Sequence, residues 1–411
     1  MSKKIFKCRS CSSTKLKSVI DLGNQPLANS LKKNKTKQKE YPLHVVFCSN
    51  CKLLQLNTTV DPKLLFNNYL WVTGTSDGVK LYRDHFIKKI LHEHNPDKKI
   101  LEIASNDGYF LKGFKNKGYK VMGIDPAKNI VKKANREGVK TLPYFFNKKT
   151  ATLIKRNYFN PDIIICRNVI PHVENINSVI SGIEHLLEED GRAYIEFHYA
   201  ENLSKNLHYD YIYHEHIFYY TVKSIMHLLE KHNLFAYDYF VSPISGGSIV
   251  LNIKKKQSAK TKKLLNLINC ENKIRINSLK YWKSFTSKSL KHKNDLINIL
   301  NKLKKKNVKI FGYGASARSS TLINYCKFDS KDILGIFDKN TLKKNLYTAG
   351  SNIKILTPNI NKIRKADYII ILAWNFEKEI VKFLKSIHYK NYIISVLPKI
   401  KVQHVNKKNK I

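Results

Sequence analysis

Residues Ile100–Phe110 read ILEIASNDGYF, and the order of residue types in this stretch decides the fold. An apolar run meets an acid, Glu102. A turn of small and polar residues follows (Ala104, Ser105, Asn106, Asp107, Gly108), and then a helical pattern begins. This is how a parallel strand delivers its loop to the carboxyl end of an open α/β sheet, where such sheets bind ligands. The small side chains let backbone amides approach a ligand closely. The glycine pattern expected for pyrophosphate is missing, and two acids, Glu102 and Asp107, would repel a phosphate. They suit an amino-acid-like or ribosyl ligand carrying a cationic sulfonium. A second strand ends VMGIDPAKN, which positions Asp125, followed by Pro126, to accept hydrogen bonds from both ribose hydroxyls of a nucleoside. A third, PDIIICRNV, brings Arg167, Asn168 and Val169 to a strand end beside the adenine or the methionine portion of that ligand.

Working outward, the 411 residues divide by texture. Residues 1–66 are short-patterned and contain two cysteine pairs. Residues 67–245 alternate apolar strand-like runs with amphipathic stretches, the pattern of βαβ units and a parallel sheet. Residues 246–411 hold, at 255–305, a Lys-, Leu- and Asn-rich helical stretch without Gly or Pro and continue as a second α/β unit: VKIFGYGASA, ILGIFDKN, ADYIIILAWN, NYIISVLP. The expected class is α/β, with two Rossmann-like units behind a small N-terminal domain. No apolar run approaches the roughly 20 residues needed to cross a bilayer, and no apolar leader follows the basic start. A soluble cytoplasmic protein is expected, as a monomer or homodimer.

The formal charge of +43 invites a nucleic-acid reading. The basic residues, however, are 65 lysines and only nine arginines, spread along the whole chain. Nucleic-acid readers favour the bidentate guanidinium of Arg. Lysine drift of an AT-rich coding sequence explains the charge better, and the field still attracts an anionic substrate such as a nucleotide-sugar. Cys8 and Cys11 with Cys48 and Cys51 form two C-x₂-C knuckles that complete a tetrahedral Zn²⁺ shell. Four thiolates leave no open position for water, so the site is structural. Cys166, Cys270 and Cys326 stand alone and read as packing residues.

The motifs fall in one order along nearly the full chain: CRSCSS, DLGNQPLANSL, CSNCKLLQL, NYLWVTGTS, EIASNDGYFL, GIDPAKNI, RNVIPHV, YHEHIFYYT, GGS, FGYGASARSSTLINY and LAWNF. In this order the chain resembles the family of C-methyltransferases that act on nucleotide-linked keto-deoxysugars. The resemblance implies a zinc-binding N-terminal domain, a class I S-adenosylmethionine-dependent methyltransferase core and a C-terminal Rossmann-like domain that helps hold the nucleotide-sugar. It implies methylation at a carbon next to a sugar ketone, at carbon 3 of a 4-keto sugar. Two positions depart from the family pattern. Arg318 stands where Lys is usual, and Ser245 precedes Gly246-Gly247 where His is common. Both bear on the acceptor.

Methylating carbon requires a base to remove the proton α to the carbonyl and a donor to hold the enolate oxygen. The Tyr213-His214-Glu215-His216 segment supplies both kinds of group. By position in the matched motif His216 is the base, Glu215 orients or tunes it, and Tyr213 donates to the enolate oxygen. His214, if the segment is a strand, points to the opposite face. Tyr69 lies where the family places an active-site tyrosine, with Trp71 as the alternative occupant. His172 is either a substrate contact or a packing residue. The glycine loop before a helix suggests that the diphosphate or sugar lies near Tyr313, Ser316 and Arg318, with Trp374 and Asn375 facing the same crevice. The rival functions are an O- or N-methyltransferase on a related sugar and, from another class, an RNA-binding zinc protein with a basic surface.

Overall fold

The structure, a computed structural model, describes residues 2–66, 77–92, 94–95, 97–243 and 247–406. Tyr69, Trp71, Ser245 and Gly246 lie outside the described residues.

The Lys99–Ile103 strand forms as its pattern requires, buried from Ile100 onward on both faces. It is the third strand from one edge of a seven-stranded sheet. On one side it pairs in parallel with Lys120–Ile124, which pairs in turn with Thr141–Leu142; on the other it pairs with Ile163–Arg167, which is followed by Arg192–His198. The last two strands, Phe235–Ser242 and Ser248–Lys254, close the edge as an antiparallel hairpin against Arg192–His198. In chain order of the strands the sheet reads 3-2-1-4-5-7-6, with only the seventh reversed. Ser248–Lys254 is buried along almost its whole length. The core sheet therefore runs past the division expected at residues 245/246, because this apolar strand needs the Arg192–His198 edge to pair with.

The N-terminal region is an antiparallel sheet of Leu16–Pro26, Glu40–Cys48 and Leu54–Leu56. Its fourth strand, Phe218–Tyr219, comes from the methyltransferase core and pairs with Leu54 and Gln55. The helical stretch forms Lys262–Ile274 and Leu279–Lys304; the second is capped by Ser278 and buries Trp282, Phe285, Leu296 and Leu300 against the N-terminal and C-terminal regions. The C-terminal sheet has six strands in the order 3-2-1-4-5-6, built on Ile310–Tyr313 and parallel except for the last strand, Lys401–His404. That is the strand order of a dinucleotide-type fold. Among the described residues no helix is long and apolar enough to cross a membrane.

Candidate active site and metal centre

The four knuckle cysteines converge. Cys8 Sγ lies 3.6 Å from Cys51 Sγ, Cys11 Sγ lies 3.6 Å from Cys48 Sγ, and all four ligand atoms fall within 4.8 Å of one another. A tetrahedral Zn²⁺ with Zn–S bonds of about 2.3 Å needs sulfur–sulfur edges of about 3.8 Å, so the donor set and its geometry fit zinc. Each knuckle is closed by a left-handed residue just after its second cysteine, Ser12 and Lys52, and by an amide returning to the first cysteine carbonyl. Gln55 Nε2–H donates to Cys8 Sγ (3.0 Å), and its carbonyl accepts from Arg9 N–H, the kind of outer support that fixes a thiolate's orientation. Of the isolated cysteines, Cys166 and Cys326 are buried, whereas Cys270 is exposed.

At the cofactor loop, Ala104 (φ 53°), Asn106 (φ 50°) and Gly108 (φ 72°) are all left-handed. Every second residue reversing in this way turns backbone amides toward the ligand side, as in a nest. Gly108 is required twice over: its φ is positive, and a Cβ there would meet Val139 at 3.0 Å. Asp125 clamps the loop. Its Oδ2 accepts from Asn106 N–H (3.0 Å) and its Oδ1 from Ala127 N–H (2.9 Å), which leaves a lone pair on each oxygen for ribose. Burial raises its pKa, opposed by those two amides. Pro126 starts the turn into the helix Lys128–Arg136. Ser105 Oγ is buried without a hydrogen-bond partner. Asn168 sits left-handed at the next strand end (φ 55°), its N–H bonded to the Glu196 carbonyl. The amide-lined turn, Asp125 and the orphaned Ser105 hydroxyl together fit a nucleoside bearing an amino-acid tail.

The two acids of the opening stretch are engaged otherwise than their sequence positions suggest. Glu102 is fully buried and paired with Arg167, whose Nε–H donates to Oε1 (2.8 Å). The Arg167 guanidinium also lies 3.3 Å from the Phe110 ring centroid. Arg167 is thus turned beneath the loop rather than toward the ligand. Glu102 Oε2 keeps no hydrogen-bond partner. Asp107 is bridged by Lys133 (3.1 Å), which cancels its charge at the loop surface.

The Tyr213–His216 segment is a turn, not a strand, held from two sides. Ile217 offers its carbonyl to Leu56 N–H (2.8 Å), and His214 Nε2 reaches the Tyr41 carbonyl (3.1 Å), both in the N-terminal sheet. His216 faces the other way. Its Nδ1–H donates to the Tyr211 carbonyl (2.8 Å), which fixes the neutral tautomer with the Nε2 lone pair available. Its ring packs against Tyr213 (3.9 Å), Tyr211 (4.0 Å) and His172 (5.0 Å between centroids). The expectation that Glu215 orients His216 is corrected here. The Glu215 carboxylate accepts from Asn29 Nδ2–H (2.6 Å), and its carbonyl accepts from His172 Nδ1–H (2.7 Å). Adjacent residues in a tight turn project apart, so the Tyr211 carbonyl holds the imidazole instead.

The C-terminal domain completes the wall. Arg318 lies over both Tyr211 (4.8 Å) and Trp374 (4.9 Å). Trp374 stacks on His208 (3.9 Å) and donates Nε1–H to Asp210 Oδ2 (2.7 Å). His198, at the end of its core strand, stacks on Tyr211 (4.1 Å). His198, His208, Asp210 and Tyr211 were not singled out from the sequence, although the aromatic density of YDYIYHEH was a signal for the last two. Ser316 caps the helix Ala317–Cys326 through a reciprocal pair with Ser319, and Tyr313 is buried against Phe337 and Phe383. Asn375 is exposed and is not drawn into the wall.

Burial pushes every histidine of this region down. His216 falls well below its ordinary value, helped by the nearby His172, Arg318 and His198. His198 does likewise, with Arg318 contributing. His172 and His214 fall to about 4, and His208 to about 3 with Arg318 adding to burial. Unfolded, each takes up a proton near pH 6.5. Below that pH the unfolded chain binds more protons than the native one, so this part of the stability is full above pH 6.5 and drains as the pH falls toward 4. At pH 5 His172, His208 and His214 each cost about 2 kcal/mol. The urea midpoint is expected to drop sharply between pH 7 and pH 5; an unchanged midpoint would show these rings to be solvated.

Comparison with known proteins agrees with this layout. Residues 8–66 match the zinc binding domain family that accompanies such methyltransferases, residues 79–236 match the methyltransferase domain family, and residues 243–398 match the C-methyltransferase C-terminal domain family. C-methyltransferase NovU of Streptomyces niveus is 27% identical over 384 residues, covering 92% of this chain and 91% of that protein. Among solved structures, magnesium protoporphyrin IX methyltransferase from Synechocystis PCC 6803 with bound S-adenosylmethionine is 13% identical, covering 43% of this chain and 79% of its own, with a TM-score of 0.34. An S-adenosylmethionine-dependent methyltransferase from Clostridium acetobutylicum is 15% identical, covering 47% and 94%, also with a TM-score of 0.34. With its cysteine knuckles, its reversed-seventh-strand core and its second Rossmann-like unit matched in order, the chain belongs to the S-adenosylmethionine-dependent C-methyltransferases that carry a zinc-binding N-terminal domain and a C-methyltransferase C-terminal domain.

Proposed function

We propose that this enzyme methylates a nucleotide-linked keto-deoxysugar at the carbon beside its ketone, carbon 3 of a 4-keto sugar. The observation that carries the reading is the His216 tautomer: Nδ1–H is spent on the Tyr211 carbonyl, so Nε2 is a base of fixed orientation. Oxygen or nitrogen acceptors need less help of this kind. S-adenosylmethionine supplies the electrophilic methyl. His216 Nε2 takes the α-proton, and the electron pair moves into the ketone to give an enolate. The Tyr213 hydroxyl donates to the enolate oxygen, and the nearby Arg318 charge favours the anion as it develops. The α-carbon then forms its bond to the methyl as the methyl–sulfur bond breaks, and His216 returns its proton to solvent. His172, pinned through Nδ1–H to the Glu215 carbonyl, packs its ring 5.0 Å from that of His216. Tyr69 is assigned to the acceptor side by motif position alone. Residues 104–108, Asp125 and Asn168 hold the cofactor; Arg318, Ser316, Tyr313 and Trp374 hold the acceptor.

The test is incubation with methyl-labelled S-adenosylmethionine and a panel of nucleotide-linked 4-keto sugars, followed by mass and NMR analysis. Label on a ring carbon next to the ketone is expected. Label on oxygen or nitrogen, or label on RNA alone, overturns the reading.

A further inference from the structure

One histidine of the long linking helix has no part in the reading above. His292 lies on the buried face of Leu279–Lys304. Both of its ring nitrogens are engaged, and by different parts of the molecule. Nε2 lies 2.6 Å from the carbonyl oxygen of Val396, just past the Tyr392–Ser395 strand of the C-terminal sheet. Nδ1 lies 3.0 Å from the hydroxyl of Tyr209, in the methyltransferase core. A carbonyl can only accept, so Nε2 carries the proton. Burial lowers the pKa of the ring, opposed by the Val396 carbonyl and Asp295, and the ring is neutral at pH 7. Its Nδ1 therefore accepts, and the Tyr209 O–H donates. The direction of both bonds is fixed.

Tyr209 opens the short turn Tyr209–Tyr211, and that turn ends on the carbonyl that holds the His216 Nδ1–H (2.8 Å). The hydrogen bonds run in series from the C-terminal sheet to His216: Val396 to His292, His292 to Tyr209, and, one turn of backbone further, Tyr211 to His216. The Tyr209 ring is fully buried and meets His292 and Tyr325 edge-on, each with centroids 5.5 Å away. The buried Cys326 thiol lies beside the same hydroxyl, but a thiol is a weak acceptor. Two further bonds tie this segment to the C-terminal domain: Thr321 Oγ1–H donates to the Ile212 carbonyl (3.2 Å), and Trp374 Nε1–H to Asp210. The domains therefore stay docked when the His292 bond alone is removed.

We propose that His292 is a positioning residue for the reaction: fixed to the C-terminal sheet through one ring nitrogen, it holds Tyr209 with the other and so sets the Tyr211 carbonyl that orients His216. The inference rests on His216 being the base, as proposed above. By this route the C-terminal domain, beyond holding the acceptor, fixes the base that acts on it.

The experiment follows the His216 Nδ1 proton by NMR in the full, zinc-loaded chain carrying isotope-labelled histidine. Turnover is measured beside it, with methyl-labelled S-adenosylmethionine and a thymidine diphosphate-linked 4-keto deoxysugar. Tyr209→Phe removes the hydroxyl and keeps the ring; His292→Leu removes both ring nitrogens. In each, the proton is expected to exchange with solvent about tenfold faster than in wild type and kcat to fall about tenfold, the scale of one hydrogen bond. KM for S-adenosylmethionine stays unchanged. The double variant is expected to be no worse than either single one, because the two residues act in one chain of bonds. His292→Asn, which offers an acceptor near the place of Nδ1, is expected to recover most of the loss. A merely structural role would lower thermal stability in these variants without moving the exchange of the His216 proton. If His292→Leu does not fold, Tyr209→Phe and His292→Asn carry the test. Wild-type exchange in Tyr209→Phe overturns the relay and leaves His216 as the base. Faster exchange with unchanged kcat overturns the relay's part in the reaction together with the base assignment.

Discussion

His216→Ala is expected to lower kcat for methyl transfer by about 100- to 10,000-fold, the usual contribution of a positioned base, with S-adenosylmethionine affinity unchanged. The cofactor loop hangs from the Lys99–Ile103 strand and Asp125, whereas His216 hangs from the Tyr211 carbonyl and the N-terminal sheet. The two can therefore be separated. The decisive measurement is exchange of the substrate's α-proton with deuterated solvent in the absence of methyl transfer. Wild type exchanges it and the variant does not; full-rate exchange in His216→Ala would move the base elsewhere, with His172 the first candidate by proximity. Because His216 is held well below its ordinary pKa, wild-type kcat/KM should be level from pH 8 down to about 6.5 and decline only in more acidic buffer.

Loss of zinc is the second large effect. Structural zinc contributes about 10–16 kcal/mol to the folding of small zinc domains; here it acts beside core contacts such as Asn177 Nδ2–H donating to the Arg9 carbonyl (2.6 Å). Its consequences reach the active site through backbone. Phe218–Tyr219 is a strand of that sheet, Ile217 is bonded to Leu56, and His214 to Tyr41. Chelation, or Cys48→Ser, is therefore expected to abolish methyl transfer, while the seven-stranded sheet still binds S-adenosylmethionine. Zinc content by atomic absorption, cofactor binding by calorimetry and turnover, measured on the same sample, check this. Full turnover in a zinc-free protein would show that the turn stands without its sheet.

Much of the architecture was legible because it is written in local pattern. The inner parallel strands Lys99–Ile103, Lys120–Ile124 and Ile310–Tyr313 are apolar runs of four or five residues, each followed by a turn, so the core loop, Asp125 and the glycine turn at Gly312 could be placed from sequence. The knuckles were legible because C-x₂-C spacing is itself the geometry of a chelating turn. Other features had no local sign. Phe218–Tyr219 is too short to read as a strand and forms only because Leu54 and Gln55 present an open edge. Ser248–Lys254 belongs to the core sheet only because the Arg192–His198 edge stands free to receive it.

For the site, the sequence by itself determined which residue types are present: the cofactor turn from Ala104 to Gly108, the acid at Asp125, the four thiols, and a histidine-rich segment at 213–216. Only the tertiary structure decided how they are used. Glu102 is neutralised by Arg167, Glu215 bonds Asn29 rather than His216, and His216 is oriented by a backbone carbonyl, a group every residue carries and no sequence pattern marks. His198, His208, Asp210 and Trp374 meet across two domains more than 150 residues apart in the chain. Packing makes those contacts, because the rings are buried, and Asp210 gains its Trp374 donor, only once both domains have folded.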